Sequence, residues 1–474
     1  MRGCSVQTMV ELPSQQDKLN QAAALMAASQ ASPDNADLHA AIASLMSDLG
    51  RFDVAVGAGW TAVGLAPESG RAQAELGRAL FLAGDVQAAL QPSAQAVTLA
   101  PRNLGALVTF GAVLFGLGRF EEALEAADEA VMLDPDHFQA RVNLALTFEG
   151  LGRLDEAEAQ ARIALRLNPH SPKARHNLAA LRLSRGKLDK ESWSLYDARL
   201  RLTPHARALD AIPRWRGEDV TGRTVLLHAE QGFGDMIQFA RYAPMVRARG
   251  ARVVLAVPSP LHRLMTGMVG VDQVVVPPDL PTYDVFCPVA SLPGVLGTTL
   301  ATIPADIPYL AAGSDDVDRL RQDPDGRLQV GLVWAGNPGF VHDRARSMPP
   351  ERLTVLADVP GVRFHSLQKE GTPPFAMLDR MREVKDFADT AALIAGLDLV
   401  ITVDTGLAHL AGSMGKPVWM LSRFMGCWRW MRDRNDSPWY PTMHIFRQAR
   451  PGDWDGTVAQ VRRALMEHAA SCQR

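Results

Sequence analysis

Residues Leu397 to Leu421 read LDLVITVDTGLAHLAGSMGKPVWML. The apolar run Leu399–Val403 predicts a buried strand. Asp404-Thr405-Gly406 predicts a tight turn, the residues after it a short helix, and the residues after Lys416-Pro417 a second buried strand. A strand that feeds directly into a helix start of small residues is how α/β folds build anion sites. The first helical N–H groups have no partner inside the helix, and the helix dipole favours negative charge there. Gly406 lets a ligand approach the backbone, and His409 lies one turn further in.

Upstream of this stretch the chain alternates strand and helix. TVLLHA (224–229) predicts a strand, QGFGD (231–235) a turn, and about 236–249 one helix. RVVLAV, VDQVVVP and YDVFCPV predict three more strands, with a helix around LHRLMTGM. A second series begins after Pro324-Asp325-Gly326. It comprises a strand at Leu328–Trp334, a helix at Glu351–Leu356, the strand VRFHSLQ and the helix TAALIAGL, followed by the opening stretch. The tail at Thr457–His468 predicts a closing amphipathic helix. Such alternation implies parallel, doubly wound sheets. The nicotinamide fingerprint Gly-x-Gly-x-x-Gly is absent, which points away from a dehydrogenase.

The first half of the chain repeats itself. Proline recurs at Pro33, Pro67, Pro101, Pro135 and Pro169, a spacing of 34 residues. Glycine keeps the same step at Gly50, Gly84, Gly118, Gly152 and Gly186. Alanine keeps it at Ala62, Ala96, Ala130, Ala164 and Ala198, and again at Ala55, Ala89, Ala123 and Ala157. A further small-residue register runs Ala43, Gly77, Gly111, Ala145, Ala179. This is the tetratricopeptide pattern. Small residues sit where paired helices touch, glycine ends the first helix, and proline breaks the chain before the next unit. Four full repeats span 36–171, with a divergent fifth at 172–205 and a partial one before them. Stacked repeats present a surface for a protein or glycan partner, and equally serve as a scaffold. One first-helix position reads Ala41, Glu75, Thr109, Asn143, Asn177, which is no regular polar ladder.

The expected division is therefore a repeat solenoid at 1–205, a linker at 206–221, one Rossmann-like lobe at 222–325 and a second at 326–474. With 474 residues and 47% hydrophobic content, the chain has material for several cores. A net charge of −3 with no basic run disfavours nucleic acid as a partner. Cys4, Cys287, Cys427 and Cys472 are scattered, without disulfide or zinc spacing. Neither a signal peptide nor a transmembrane run is legible, so the expected location is cytoplasmic.

Several motifs taken in order carry a family resemblance: HAEQGFGDMIQFARYAP, GLVWAGNP…DRARSMP, DFADTAALIAGLDLVITVDTGLAHLAGSMGKPVW and SPWYP. The chain resembles bacterial tetratricopeptide-repeat proteins with a glycosyltransferase-like C-terminal region. DTGLAHL is similar to a motif of the ADP-heptose:lipopolysaccharide heptosyltransferases. The domain order is also similar to that of the O-linked N-acetylglucosamine transferases of proteins, although the uneven asparagine ladder departs from them. The resemblance implies a GT-B fold with the donor on the C-terminal lobe. It also implies an inverting, metal-independent transfer from a nucleotide sugar that enters as substrate, with no cofactor.

Such a transfer needs a base for the acceptor proton and N–H or cationic groups for the departing diphosphate. Asp235 matches the position of the family's proposed base and alternatively caps its helix. Glu230 is the second candidate. On the donor side the expected contacts are Thr405, Gly406 and His409, with Arg346 and Ser347 from the loop after the first strand of that lobe. Asp404 would repel a diphosphate, so turn capping or a hydroxyl contact is expected of it. Asp389-Thr390 reads as a helix cap beside the same cleft, with a hydroxyl-binding role implied by the resemblance. In the loop 427–441, Arg429, Arg432 and Arg434 are candidates for diphosphate neutralisation. Trp428, Trp430 and Trp439 either stack on a ligand ring or form a small core. Asp134-Pro135-Asp136 and Asp323-Pro324-Asp325 imitate a metal motif but read as turns. The segment 412–416 is too short for a phosphate-loop motif. The competing expectation is an interaction scaffold whose transferase region is inactive or senses nucleotides, since the first lobe has only about 90 residues, short for a Rossmann lobe that must bind an acceptor.

Overall fold

The computed structural model describes residues 15–202, 212–320, 325–340 and 343–472. The chain divides into two compact units, Met1–Ala174 and Arg175–Arg474.

The first unit consists of antiparallel helix pairs: Ala36–Asp48 with Phe52–Leu65, Gly70–Leu82 with Val86–Leu99, Leu104–Gly116 with Phe120–Leu133, and Phe138–Gly150 with Leu154–Leu167. One helix, Gln15–Ala31, precedes them. The registers read from sequence act as expected. Gly50, Gly84, Gly118, Gly152 and Gly186 all take positive φ, between 71° and 90°, where other residues are strained. Ala55, Ala62, Ala89, Ala96, Ala123 and Ala130 are fully buried, because any larger side chain would push the helices apart. Leu76, Leu80, Ala89 and Val113 form a core that joins one repeat to the next. The structure adds a register that the sequence reading missed. Asn35, Ser69, Asn103, His137 and Ser171 each accept a backbone N–H from the third residue after them, capping the first helix of each repeat. Asn143 donates its amide to the carbonyl of Val108, one repeat back.

The second unit opens on the fifth repeat: Pro172–Ser184, which crosses into it, then Lys190–Tyr196 and a 3₁₀ turn, Asp197–Arg201. Two all-parallel sheets follow. The first holds β1 (Thr224–His228), β2 (Arg252–Ala256), β3 (Gln273–Val275) and β4 (Val285–Pro288) in the order β3-β2-β1-β4. The second holds β5 (Leu328–Val333), β6 (Val362–Ser366), β7 (Leu378–Asp379), β8 (Leu399–Val403), β9 (Val418–Ser422) and β10 (Met443–Arg447) in the order β10-β9-β8-β5-β6-β7. In both sheets the order reverses beside the first strand. In doubly wound sheets that reversal opens a crevice at the carboxyl ends of the strands. Every residue of β5 and of β8 is buried, as a parallel sheet covered on both faces requires. The closing helix, Trp454–Cys472, sets Trp454, Val458, Val461 and Leu465 into the core of the second sheet.

Three expectations need correction. The single helix expected over about 236–249 is two, Phe233–Ala240 and Ala243–Arg247, because Pro244 has no N–H to continue the ladder. The helix at Glu351–Leu356 is a 3₁₀ segment, Pro350–Leu356. The described part of the linker is not free: Trp215 is buried, and its N–H bonds to the carbonyl of Phe286 on β4. Residues 206–211 of that linker, Cys4 and Asp323 lie outside the described residues. Among the described residues, no helix is long and apolar enough to cross a membrane.

Candidate functional site

β1 ends at His228, and Glu230, Gln231 and Gly232 lead into the helix Phe233–Ala240. Asp235 stands in the first turn of that helix, where its Oδ2 accepts the N–H of Gly232 at 3.1 Å. The capping role anticipated for it is real. Its other oxygen accepts from Nη2 of Arg429, 194 residues away. The Arg429 guanidinium is buried, lies 4.6 Å from the centre of the Trp428 ring, and also donates to Tyr196 Oη and Gln231 Oε1, both at 3.3 Å. Of the three arginines in that loop, Arg429 is the one brought to Asp235. Arg434 instead pairs with Asp436 at 2.6 Å, and the backbone N–H of Arg432 bonds to the carbonyl of Ser184.

Glu230 is buried against Arg199, which donates through Nε at 3.1 Å and Nη2 at 2.6 Å. Burial pushes the Glu230 carboxyl above its usual range, and the Arg199 charge opposes that shift. Oε2 of Glu230 is buried without a hydrogen-bond partner among the described residues. Arg199 is fixed in turn by Ser291 Oγ at 2.7 Å, by Asp197 Oδ1 at 3.0 Å and by the face of Tyr196.

β8 ends at Val403, and Gly406–Ser413 is the helix foreseen after it. Its cap is Thr405, whose Oγ1 accepts the Leu407 N–H at 3.3 Å and meets Thr402 Oγ1 at 3.2 Å. The capping expected of Asp404 therefore belongs to Thr405. The Asp404 carboxyl is pushed up by burial, and the nearby Trp430, Arg423 and Arg346 counter that. Arg346 donates Nη1 to the Asp404 carbonyl at 3.1 Å and Nε to Asp343 at 2.9 Å, and stacks on the exposed Phe340. Ser347 is engaged in shaping this loop, donating to Asp343 at 2.9 Å and accepting from the Gly336 N–H at 2.9 Å.

The two helix starts meet. A Cβ on Gly234 would lie 2.7 Å from Cδ2 of His409 and 3.3 Å from Cα of Gly406, so only glycine fits this seam between the sheets. His409 is 5% exposed, with Nδ1 3.0 Å from Tyr440 Oη and its ring against Trp430. Burial, reinforced by Arg429 and Arg241, holds its pKa well below the ordinary value. The ring is thus a neutral packing element at the seam.

Two other expectations change. Asp389 is fully buried in an ion-pair cluster with Arg263 and Arg319, and its Oδ2 accepts the Lys385 N–H at 2.9 Å ahead of the helix; the N-cap of helix Phe387–Ala395 is Asp386, which accepts from Ala388 and Asp389 N–H. Trp428, Trp430 and Trp439 are all buried and form a core, so Trp428 has no free face for a base. The first segment that imitates a metal motif behaves as a turn, with Asp134 accepting the N–H of Asp136; the second lies partly outside the described residues. Lys416 donates to the carbonyls of Ala395 and Leu397 at 2.7 and 2.9 Å, a structural use unrelated to phosphate.

The result is a meeting of two helix starts, with Arg346 beside one and Arg429, Asp235 and Glu230 beside the other. Helix N-termini with flanking arginines favour an anion. Tyr196, Arg199, Gln231 and Asp343 were not foreseen. Tyr196 and Arg199 have partners distant in the chain, while Gln231 and Asp343 stand inside the quoted QGFGD and DRARSMP motifs without being singled out.

Two families match parts of the chain. The tetratricopeptide repeat family matches residues 40–103, 109–172 and 145–207, and glycosyltransferase family 9 (heptosyltransferase) matches residues 382–421. The chain thus combines tetratricopeptide repeats with a heptosyltransferase-like C-terminal region. It is 28% identical over 325 residues to protein FlbA of Caulobacter vibrioides, an alignment that takes in 59% of this chain and 53% of FlbA. The chain therefore spans about half the length of that curated relative. Among solved structures it is similar to a tetratricopeptide-repeat protein of Thermus thermophilus, at 27% identity over 37% of this chain and 94% of that one, with a TM-score of 0.33. It is also similar to MamA, at 25% identity over 34% of this chain and 93% of that one, with a TM-score of 0.29.

Proposed function

We propose that the second unit is a glycosyltransferase of GT-B type, which moves a hexose or heptose from a nucleotide-sugar donor to a protein or glycan acceptor taken by the repeats. The observation that carries this reading is the meeting of the Gly232 and Thr405 helix starts at the strand-order reversals of two parallel sheets, within reach of Arg346 and Arg429. The N–H groups at Thr405–Gly406 and the Arg346 side chain would receive the diphosphate as charge develops on it. Asp235, at the other helix start, would take the acceptor proton, and the attack would invert the sugar carbon. Glu230 is a poorer base because it is enclosed with Arg199. The reading calls on no metal. The test is turnover of a panel of nucleotide sugars, followed by nucleotide release and by calorimetry. Turnover of one donor, cut by about 100-fold or more in Asp235→Asn, is the expected result. Binding of none, or full activity in that variant, would reject it.

One observation favours a second reading, a repeat scaffold with a silent nucleotide site: both candidate bases are already paired with buried arginines. In that case calorimetry would show nucleotide binding without turnover, and residues 1–174 alone would retain the partners of the whole chain.

A further inference from the structure

The fifth repeat keeps the glycine register and one alanine register of the other four, at Gly186 and Ala198, yet its side chains meet different partners. Trp193 donates its indole N–H to the carbonyl of Thr298 at 2.7 Å. A Cβ on Gly294 would lie 2.8 Å from the Trp193 Cβ, so the helix Lys190–Tyr196 is seated without a gap. Trp193 and Tyr196 pack edge-on against Trp428, with ring centres 5.8 and 5.3 Å away. From this seat the repeat sends two polar groups into the crevice. Arg199 grips Glu230, and the Tyr196 hydroxyl meets both Arg429 and Gln231. Arg429 is the group that holds Asp235. Nothing in the 34-residue pattern requires an arginine or a tyrosine at these positions: the residues one repeat earlier are Arg162, in the place of Tyr196, and Leu165, in the place of Arg199.

We propose that the fifth repeat is a wall of the transferase crevice, and that Arg199 and Tyr196 are positioning residues for its carboxylates, Arg199 acting on Glu230 and Tyr196 acting through Arg429 on Asp235. This rests on the sugar-transfer reading for its catalytic consequence, but not for the pairing itself. A buried carboxylate beside a fixed guanidinium stays ionised and keeps one orientation. Without that neighbour it protonates more readily and turns.

The test uses the full chain with Tyr196→Phe and Arg199→Gln, read in two ways. The first readout is carboxyl carbon-13 titration of protein labelled at Asp and Glu, with signals assigned by Asp235→Asn and Glu230→Gln. Arg199→Gln is expected to raise the titration midpoint of Glu230, leaving the remote Asp325 signal in place. An unmoved Glu230 midpoint would overturn the proposal whatever the activity. The second readout is donor turnover. Tyr196→Phe is expected to lower kcat by roughly 10-fold with little change in donor KM, and to add nothing further in the Asp235→Asn background. Equal losses in both backgrounds would also overturn it. If Arg199→Gln does not fold, Arg199→Gln/Glu230→Gln restores neutrality, and its donor pH profile replaces the single variant's; a profile identical to that of Glu230→Gln supports the pairing, and a different one refutes it. A wild-type chain that turns over no donor rejects sugar transfer, while the titration still decides the pairing.

Discussion

At the scale of single residues, the crevice is built from buried charges whose partners lie far off in sequence. Asp235 and Glu230 were legible as candidates because each follows a strand end. Their pairing with arginines was not: Arg429 was legible only as a phosphate candidate and Arg199 not at all, since they lie 194 and 31 residues from the carboxylates they hold. The fate of the tryptophans was open for the same reason, because a residue type does not say which side of a loop is filled. Burial also governs histidine charge. His176 stacks on Tyr196, and desolvation, helped by Arg199 and Arg429, pushes its pKa down to about 4. The unfolded chain therefore binds a proton between about pH 6.5 and 4 that the folded chain refuses. That contribution to stability is fully present above the unfolded value and is lost as pH falls through this window. His176→Phe should shrink the loss of unfolding free energy between pH 7.5 and pH 5 by at most about 2 kcal/mol. Denaturation followed by tryptophan fluorescence measures it in the second unit, because Trp60 alone reports on the first.

At the scale of elements, reading by period worked wherever packing is periodic. The repeats and the buried strands were legible because their apolar spacing is set by neighbours of fixed geometry. The break at Pro244 and the capping register at 35, 69, 103, 137 and 171 were visible in principle, as proline and capping residue types. They were passed over because stronger periodicities hid them. The seam at Gly234 and Gly406 gives an element-level prediction. Gly234→Ala should cost about 1–3 kcal/mol, since neither the His409 ring nor the Gly406 backbone can yield freely. Gly57→Ala, with nothing near the added methyl in helix Phe52–Leu65, should instead gain up to about 1 kcal/mol. Thermal melts of the two variants side by side check both signs. If Gly234→Ala melts like the wild type, the seam is looser than the packing indicates.

At the scale of the whole molecule, the boundary between the compact units falls inside the fifth repeat's first helix, and not where the repeat pattern ends. Sequence periodicity marks where units resemble each other, while folding units are marked by what they bury. Residues 1–174 should therefore fold alone, as stacked repeats do. Residues 175–474 should fold as well, whereas residues 212–474 should not. That shorter piece leaves Glu230 without its arginine, a loss of about 3–5 kcal/mol, and uncovers Trp428. Circular dichroism melts of the three fragments measure this, and a cooperative melt of 212–474 would contradict it.

The shared 34-residue step has a consequence for how this gene can change. Duplication or loss of one whole unit between residues 36 and 171 gives a chain in which each helix still meets the kind of neighbour it met before, so the length of the array is free to drift. The fifth unit has no such freedom. A copy inserted after it would put its own Tyr196 and Arg199 counterparts beside the crevice only if it carried them, and the preceding units do not.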